Sequence, residues 1–232
     1  MIIGIADKAN SPRISSITYV EAMQSGRHIF DGDGAATTLV GGHFEYQSQP
    51  VHPFIRDLPQ MIHIRDLKSQ ERSWLTQTAN LLYEEISNES PGNAIMVDRL
   101  SEIFFIHTIR AYLQQSTQVT GFLSALKDQR ISTALKAIHD HPEQQWTLPA
   151  LSARVGMSRT LFFNTFKALV GETPQSYLTN WRMIKARKIL STSKDNISEV
   201  ALKVGYQSEA AFNRVFKMKV SQTPALYRRQ LK

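Results

Sequence analysis

The sequence predicts a mainly α-helical chain: two helix-turn-helix units joined by a connector helix, preceded by a helical hairpin and a partial β-sheet. Three observations carry this. The last third of the chain is duplicated, the duplicated half is basic, and the first quarter alternates β-branched runs with turn residues.

Leu148 to Tyr177 reads LPALSARVGMSRTLFFNTFKALVGETPQSY, and Ile197 to Tyr227 reads ISEVALKVGYQSEAAFNRVFKMKVSQTPALY. Val155-Gly156 recurs 49 residues later as Val204-Gly205. Beyond the glycine the offset is 50, pairing Ser158 with Ser208, Phe162 with Phe212, Phe166-Lys167 with Phe216-Lys217 and Thr173-Pro174 with Thr223-Pro224. Each copy has a short helical stretch, a glycine turn, a second helix and a Thr-Pro stop. That is the layout of a helix-turn-helix, whose second helix enters the DNA major groove. The units are placed at 148–169 and 197–219.

The local chemistry fits. Gly156 and Gly205 stand where the first helix must end, and glycine takes the left-handed C′ conformation at little cost. Ser158 and Ser208 can cap the second helices. Phe162, Phe166 and Leu169 repeat at helical spacing, as do Phe212, Phe216 and Val220. These rows are expected to pack on Leu148, Leu151 and Val155, and on Ile197, Val200 and Val204. Pro174 and Pro224 close one unit and can open the next helix. From Pro174 to about Ser191 the pattern is one continuous helix, roughly 27 Å long at ~1.5 Å per residue. Successive major grooves on one face of DNA lie ~34 Å apart. A stiff connector of that length lets one chain read two adjacent grooves, with some bending of the DNA.

Charge agrees. Residues 127–232 hold 18 Lys/Arg against 7 Asp/Glu, while residues 1–126 hold 9 against 13. A clustered basic half is the electrostatic footprint of a phosphate-binding domain. The absence of cysteine excludes disulfides, thiolate zinc sites, cysteine nucleophiles and iron–sulfur clusters. No apolar run approaches the roughly 18 residues of a membrane span, and the N-terminus does not read as a secretory signal. A soluble cytoplasmic protein with no membrane partner is expected. Gly156-Met157-Ser158 lacks the second glycine of a nucleophile elbow, and there is no phosphate-binding glycine loop. His139 and His141 form H-x-H at a helix end before Pro142 and read as satisfied or exposed rather than metal-binding. His43, His52 and His63 are well separated, and His107 lies in an apolar helix. No catalytic residue, metal or cofactor is expected.

In residues 1–66, strands are expected at Ile2–Ile5, Ser16–Val20, Thr37–Tyr46 and Met61–Ile64, between turn signals such as Asp31-Gly32-Asp33-Gly34. Residues 67–120 hold the hairpin, with helices over 69–88 and from Ala94 to about Gln115, broken at Pro91-Gly92. The row Phe104-Phe105-Ile106 suggests that 69–115 mediates homodimerisation. Gln114–Gly121 reads as a linker, and a helix at 128–139 opens a DNA-binding domain over 125–232.

From Ile131 to Arg229 the chain resembles the AraC/XylS family of bacterial transcription regulators. The resemblance rests on both units, on Trp181-Arg182-Met183 and on GYQSEAAFNRVFK. It implies a seven-helix DNA-binding fold and sequence-specific regulation of transcription. By register it implies base contacts from Thr160, Phe163 and Asn164, and from Glu209, Ala210, Ala211 and Arg214. Phe163 departs from the polar reader of the family; it either meets a thymine methyl or packs beside Phe162. Arg214 can read guanine bidentately or touch a phosphate. Arg159, Lys167, Arg182, Lys185, Arg187 and Lys217 are candidate phosphate contacts.

Residues 1–120 resemble the sensor half of members with a cupin barrel, through Tyr46, Pro53-Phe54, Leu58-Pro59 and Ile62-His63-Ile64. A barrel needs roughly eight strands; four or five are visible. The front part reads as missing, so either Met1 is not the native start or the chain is a truncated relative. The resemblance implies double-stranded DNA as partner, and admits a small-molecule effector and RNA polymerase. A cupin enzyme fused to a DNA-binding domain and an effector-independent architectural protein are the alternatives.

Overall fold

Helix-forming signals are strongest from residue 69 onward, and helices dominate the computed structural model, which describes residues 2–4, 52–64, 69–88, 90–116 and 119–231. The strands expected at Ser16–Val20 and Thr37–Tyr46 lie outside these. Two compact units result, described separately.

In the first unit, β1 (Ile2–Gly4) pairs in parallel with β2 (Met61–His63), Ile3 opposite Ile62. Among the described residues this pair is all the β structure, so a partial cupin-like sheet is not seen there. Parallel neighbours need a long crossover rather than a hairpin, which is why sequence runs alone did not reveal the pairing.

The hairpin is α2 (Ser69–Ser87) and α3 (Asn93–Gln115), with Gly92 at φ 86° in the turn. Leu75, Leu82, Leu100, Ile109 and Ala111 are buried in this unit. Buried Thr78 and Thr108 donate their hydroxyls to the carbonyls of Trp74 and Phe104, so neither oxygen is left unsatisfied. The His107 ring lies 5.3 Å from that of Trp74.

The second unit is helical: α1 (Pro53–Arg56), α4 (Phe122–Lys127), α5 (Gln129–Asp140), α6 (Leu148–Arg154), α7 (Arg159–Val170), α8 (Pro174–Thr192), α9 (Ile197–Lys203), α10 (Glu209–Val220) and α11 (Pro224–Gln230). The last seven are those implied by the family resemblance. Each helix-turn-helix has its own core. Phe162, Phe166, Leu151 and Ile138 centre the first, and Phe212, Phe216, Val200 and Val204 the second. The start of α8 gives Tyr177 and Leu178 to the first core; its end gives Met183, Ala186 and Leu190 to the second. Burying each phenylalanine contributes roughly 1.5–3 kcal/mol. Phe122, Leu123 and Ala125 of α4 are buried, and Phe122 and Ala125 join the first core.

Among the described residues no helix is long and apolar enough to cross a membrane.

Candidate nucleic-acid interface

The second helix of each unit is set by the same terminal chemistry. At the end of α6 the Gly156 N–H donates to Ala153 O and the Met157 N–H to Ser152 O. At the end of α9 the Gly205 N–H donates to Leu202 O and the Tyr206 N–H to Ala201 O. These are paired Schellman closures, and they require the left-handed φ of Gly156 (65°) and Gly205 (87°). Ser158 then accepts from the Leu161 N–H and Ser208 from the Ala211 N–H, starting α7 and α10. One residue, Met157, separates Gly156 from Ser158 and two, Tyr206 and Gln207, separate Gly205 from Ser208, which explains why the repeat offset steps from 49 to 50.

On α7, Phe162 and Phe166 are buried while Arg159, Thr160, Asn164 and Lys167 are exposed. On α10, Phe212 and Phe216 are buried while Glu209, Ala210, Arg214 and Lys217 are exposed. Thr160, Asn164 and Lys167 fall at i, i+4 and i+7, so they share one face. Ala210, Arg214 and Lys217 repeat that spacing at the equivalent positions. Phe163 and Ala211 are half-buried. Phe163 therefore has part of its ring in the packing and part outside it.

The connector cations behave differently. Lys185 is half-buried, with Nζ 5.6 Å above the Trp181 ring. Arg187 is half-buried beside Tyr227, its Nε 3.2 Å from the hydroxyl it donates to. Arg182 is the most enclosed of the candidate phosphate contacts. It is only 6% exposed, and it donates through Nε to Pro142 O at 2.7 Å and through Nη2 to Gln144 O at 2.8 Å. Its guanidinium also lies over Tyr206, 5.5 Å from the ring centre. Burial lowers the affinity of this group for its proton, and the phenol of Tyr206 and the carboxylate of Glu143 oppose the shift. The two carbonyls occupy two of its five N–H donors, inside the protein rather than at its surface.

A strap of residues 52–59 lies on the first helix-turn-helix, and nothing in the sequence pattern signalled it. The Tyr177 hydroxyl lies 2.9 Å from His52 Nε2 and 2.6 Å from His139 Nε2. Trp181 stacks on His139 at 4.0 Å between ring centres. Phe54 packs on the first core. Asp57 accepts from the Phe122 N–H at 2.8 Å, and Arg56 donates to Val170 O. Burial, assisted by Arg56, lowers the His52 pKa from 6.5 to about 4. Burial likewise lowers that of His139 to about 4, with His52 and Lys185 adding to the shift and Asp140 opposing it. His141 points elsewhere, 3.3 Å from Glu143. The H-x-H pair is thus split between two environments, and no group of three or more metal-binding side chains occurs among the described residues.

Known proteins are similar to this chain in sequence. Residues 151–230 match the model of a helix-turn-helix domain family, and residues 3–114 match a cupin model. The chain is 37% identical over 179 residues to the transcriptional regulator AlkR of Acinetobacter baylyi, covering 77% of this chain and 58% of that protein. It is 30% identical over 200 residues to an AraC-like transcription regulator of Streptomyces lividans, covering 85% of this chain and 65% of that one. The chain thus spans about three fifths of the length of these relatives. Among solved structures, the DNA-binding domain of AdpA in complex with a target DNA is 30% identical, at a TM-score of 0.42, and covers 43% of this chain and 89% of that one. Two capped units in tandem, the family match over both and regulators as relatives agree on one identity: the C-terminal part of this chain is a helix-turn-helix transcriptional-regulator domain related to the AraC/XylS type.

Proposed function

We propose that the chain is a sequence-specific transcription regulator that reads two adjacent major grooves, α7 in one and α10 in the next. One observation carries this reading. α7 and α10 present equivalent exposed faces at either end of α8, a 19-residue helix that is about 28 Å long. Asn164 and Arg214 occupy matching positions on those faces, 50 residues apart. Asparagine suits adenine N6/N7 and arginine suits guanine O6/N7. Thr160, Phe163, Glu209, Ala210 and Ala211 complete the base-facing set, with the exposed ring edge of Phe163 directed to a thymine methyl. Arg159, Lys167 and Lys217 hold the phosphates, with Lys185 and Arg187 flanking them. Residues 3–114, which match a cupin model, are read as belonging to a cupin-type sensor, which would take a small-molecule effector.

The hairpin completes the proposal as a homodimer contact. Trp74, Leu81 and Ile86 on α2, and Ile95, Ile103 and Ile106 on α3, are all more than two fifths exposed. Apolar residues in that number on one element pair mark an interaction surface, and a second copy of the chain supplies a matching one by symmetry.

Selection of bound duplexes from a random pool by the full chain tests the reading. The expected consensus has two blocks centred about 10–10.5 base pairs apart. One block contains an adenine lost with Asn164→Ala, and the other a guanine lost with Arg214→Ala. A single block, or no enrichment, would overturn it.

A further inference from the structure

The two helix-turn-helix cores share no buried residue: one ends with Leu178 on α8 and the other begins with Met183. Arg182 sits in the interval. Its two hydrogen bonds reach the α5–α6 turn of the first unit, at Pro142 O and Gln144 O, while its guanidinium lies over Tyr206 in the α9–α10 turn of the second. Gln145, in the same first-unit turn, donates across to Gly205 O at 3.0 Å. A Cβ at Gly205 would stand 2.5 Å from Arg182 Nη2 and 2.7 Å from Glu143 O, so the two turns meet around this side chain with no room to spare. The α5–α6 turn is itself braced, since Trp146 Nε1 donates to His141 O at 2.8 Å.

From this geometry we infer that Arg182 is a positioning residue: it clamps the two units against each other and thereby fixes which spacing of half-sites the protein accepts. The consequence for DNA rests on the two-groove reading proposed above; the clamp itself does not. Two modules on one connector gain affinity from each other only if the connection holds both in register. α8 alone fixes a length. Rotation of the second unit about that axis is resisted by the contacts that converge on Arg182. A lysine would supply one point donor, whereas the arginine fork reaches two carbonyls and still stacks.

Two measurements test this on the full chain. Because the protein has no cysteine, Ala168→Cys on α7 and Met218→Cys on α10 place a clean pair of spin labels. The distance distribution is expected to be narrow with Arg182 present and at least twice as wide in Arg182→Met, with Arg182→Lys between them. The second measurement compares affinity for the selected site with that for sites lengthened or shortened by one base pair. The protein with Arg182 is expected to lose at least ~10-fold on a changed spacing, and Arg182→Met less than ~3-fold. Equal widths and equal spacing profiles would overturn the inference. If Arg182→Met does not fold, Gln145→Ala carries the test, because Gln145 is exposed: a broadened distribution supports the clamp and an unchanged one refutes it. A chain that binds no DNA refutes the proposed function, while the label distances still decide the clamp.

Discussion

Side chains that look equivalent in the repeat differ in what surrounds them. A Cβ on Gly156 would meet nothing within 4 Å, whereas one on Gly205 would collide with Arg182 and with a backbone oxygen. Gly156→Ala should therefore cost about 1–2 kcal/mol of left-handed strain. Gly205→Ala should add an overpacking penalty of about 1–3 kcal/mol to that, a difference readable in urea denaturation midpoints. The next glycine position diverges as well: Gly171 closes α7 at φ 82°, while Ser221 closes α10 at φ 64° without glycine's freedom. On the reading faces, Arg214→Ala should cost about 1–3 kcal/mol at the cognate site and relax one base position. Lys217→Ala should weaken all duplexes alike and lower the salt slope by about one. Titrating both variants against cognate and scrambled duplexes separates the roles. Equal loss of Arg214→Ala on the two duplexes would make Arg214 a phosphate contact. Arg182 shows the limit of sequence reading at this scale. In a basic segment a buried arginine is indistinguishable from an exposed one until its carbonyl partners, some 40 residues away, are placed beside it.

At the scale of elements, legibility followed local chemistry. The seven helices from α5 to α11 were readable because aspartate, serine, threonine or asparagine caps, Schellman glycines and helix-opening prolines each act within a few residues. The hairpin was readable from its periodicity. α1 and α4 were not, being four and six residues long; no 3.6-residue period develops over so short a run. What holds α1 in place also predicts a pH response. His52 and His139 are held near pKa 4, against an ordinary 6.5. The unfolded chain thus binds more protons between those values. Their contribution to stability is complete above about 6.5 and is lost as pH falls toward 4, on the order of 1 kcal/mol per pH unit for each histidine. Denaturation at pH 7.5 and pH 5 should show this, and His139→Phe should flatten the difference by about half. A slope unchanged in that variant would place the titration elsewhere. For the hairpin, sedimentation of the full chain at micromolar concentration should show a dimer that Ile95→Glu with Ile106→Glu converts to monomer. A dimer surviving both changes would move the interface off α3.

Across the whole molecule, charge divides along the sequence: the basic half carries the two helix-turn-helix units and the mildly acidic half the hairpin. The path of the chain does not divide so simply. It leaves the helix-turn-helix body after the strap at 52–59, runs through β2 and the hairpin over 60–115, and re-enters the body at 116. The hairpin is thus tethered at two points, one of them held by Phe54, Asp57 and the His52–Tyr177 bond rather than by a peptide link to α4. This bears on proteolysis. A protease site introduced between residues 64 and 69 would yield two bands on a denaturing gel. The pieces should nevertheless travel as one species in native gel filtration, because the N-terminal piece keeps its grip on the first core. Separation of the pieces without denaturant would show that the strap does not hold. In a chain built this way, one cut would be silent, and only cleavage on both sides of the hairpin would sever it from the helix-turn-helix body.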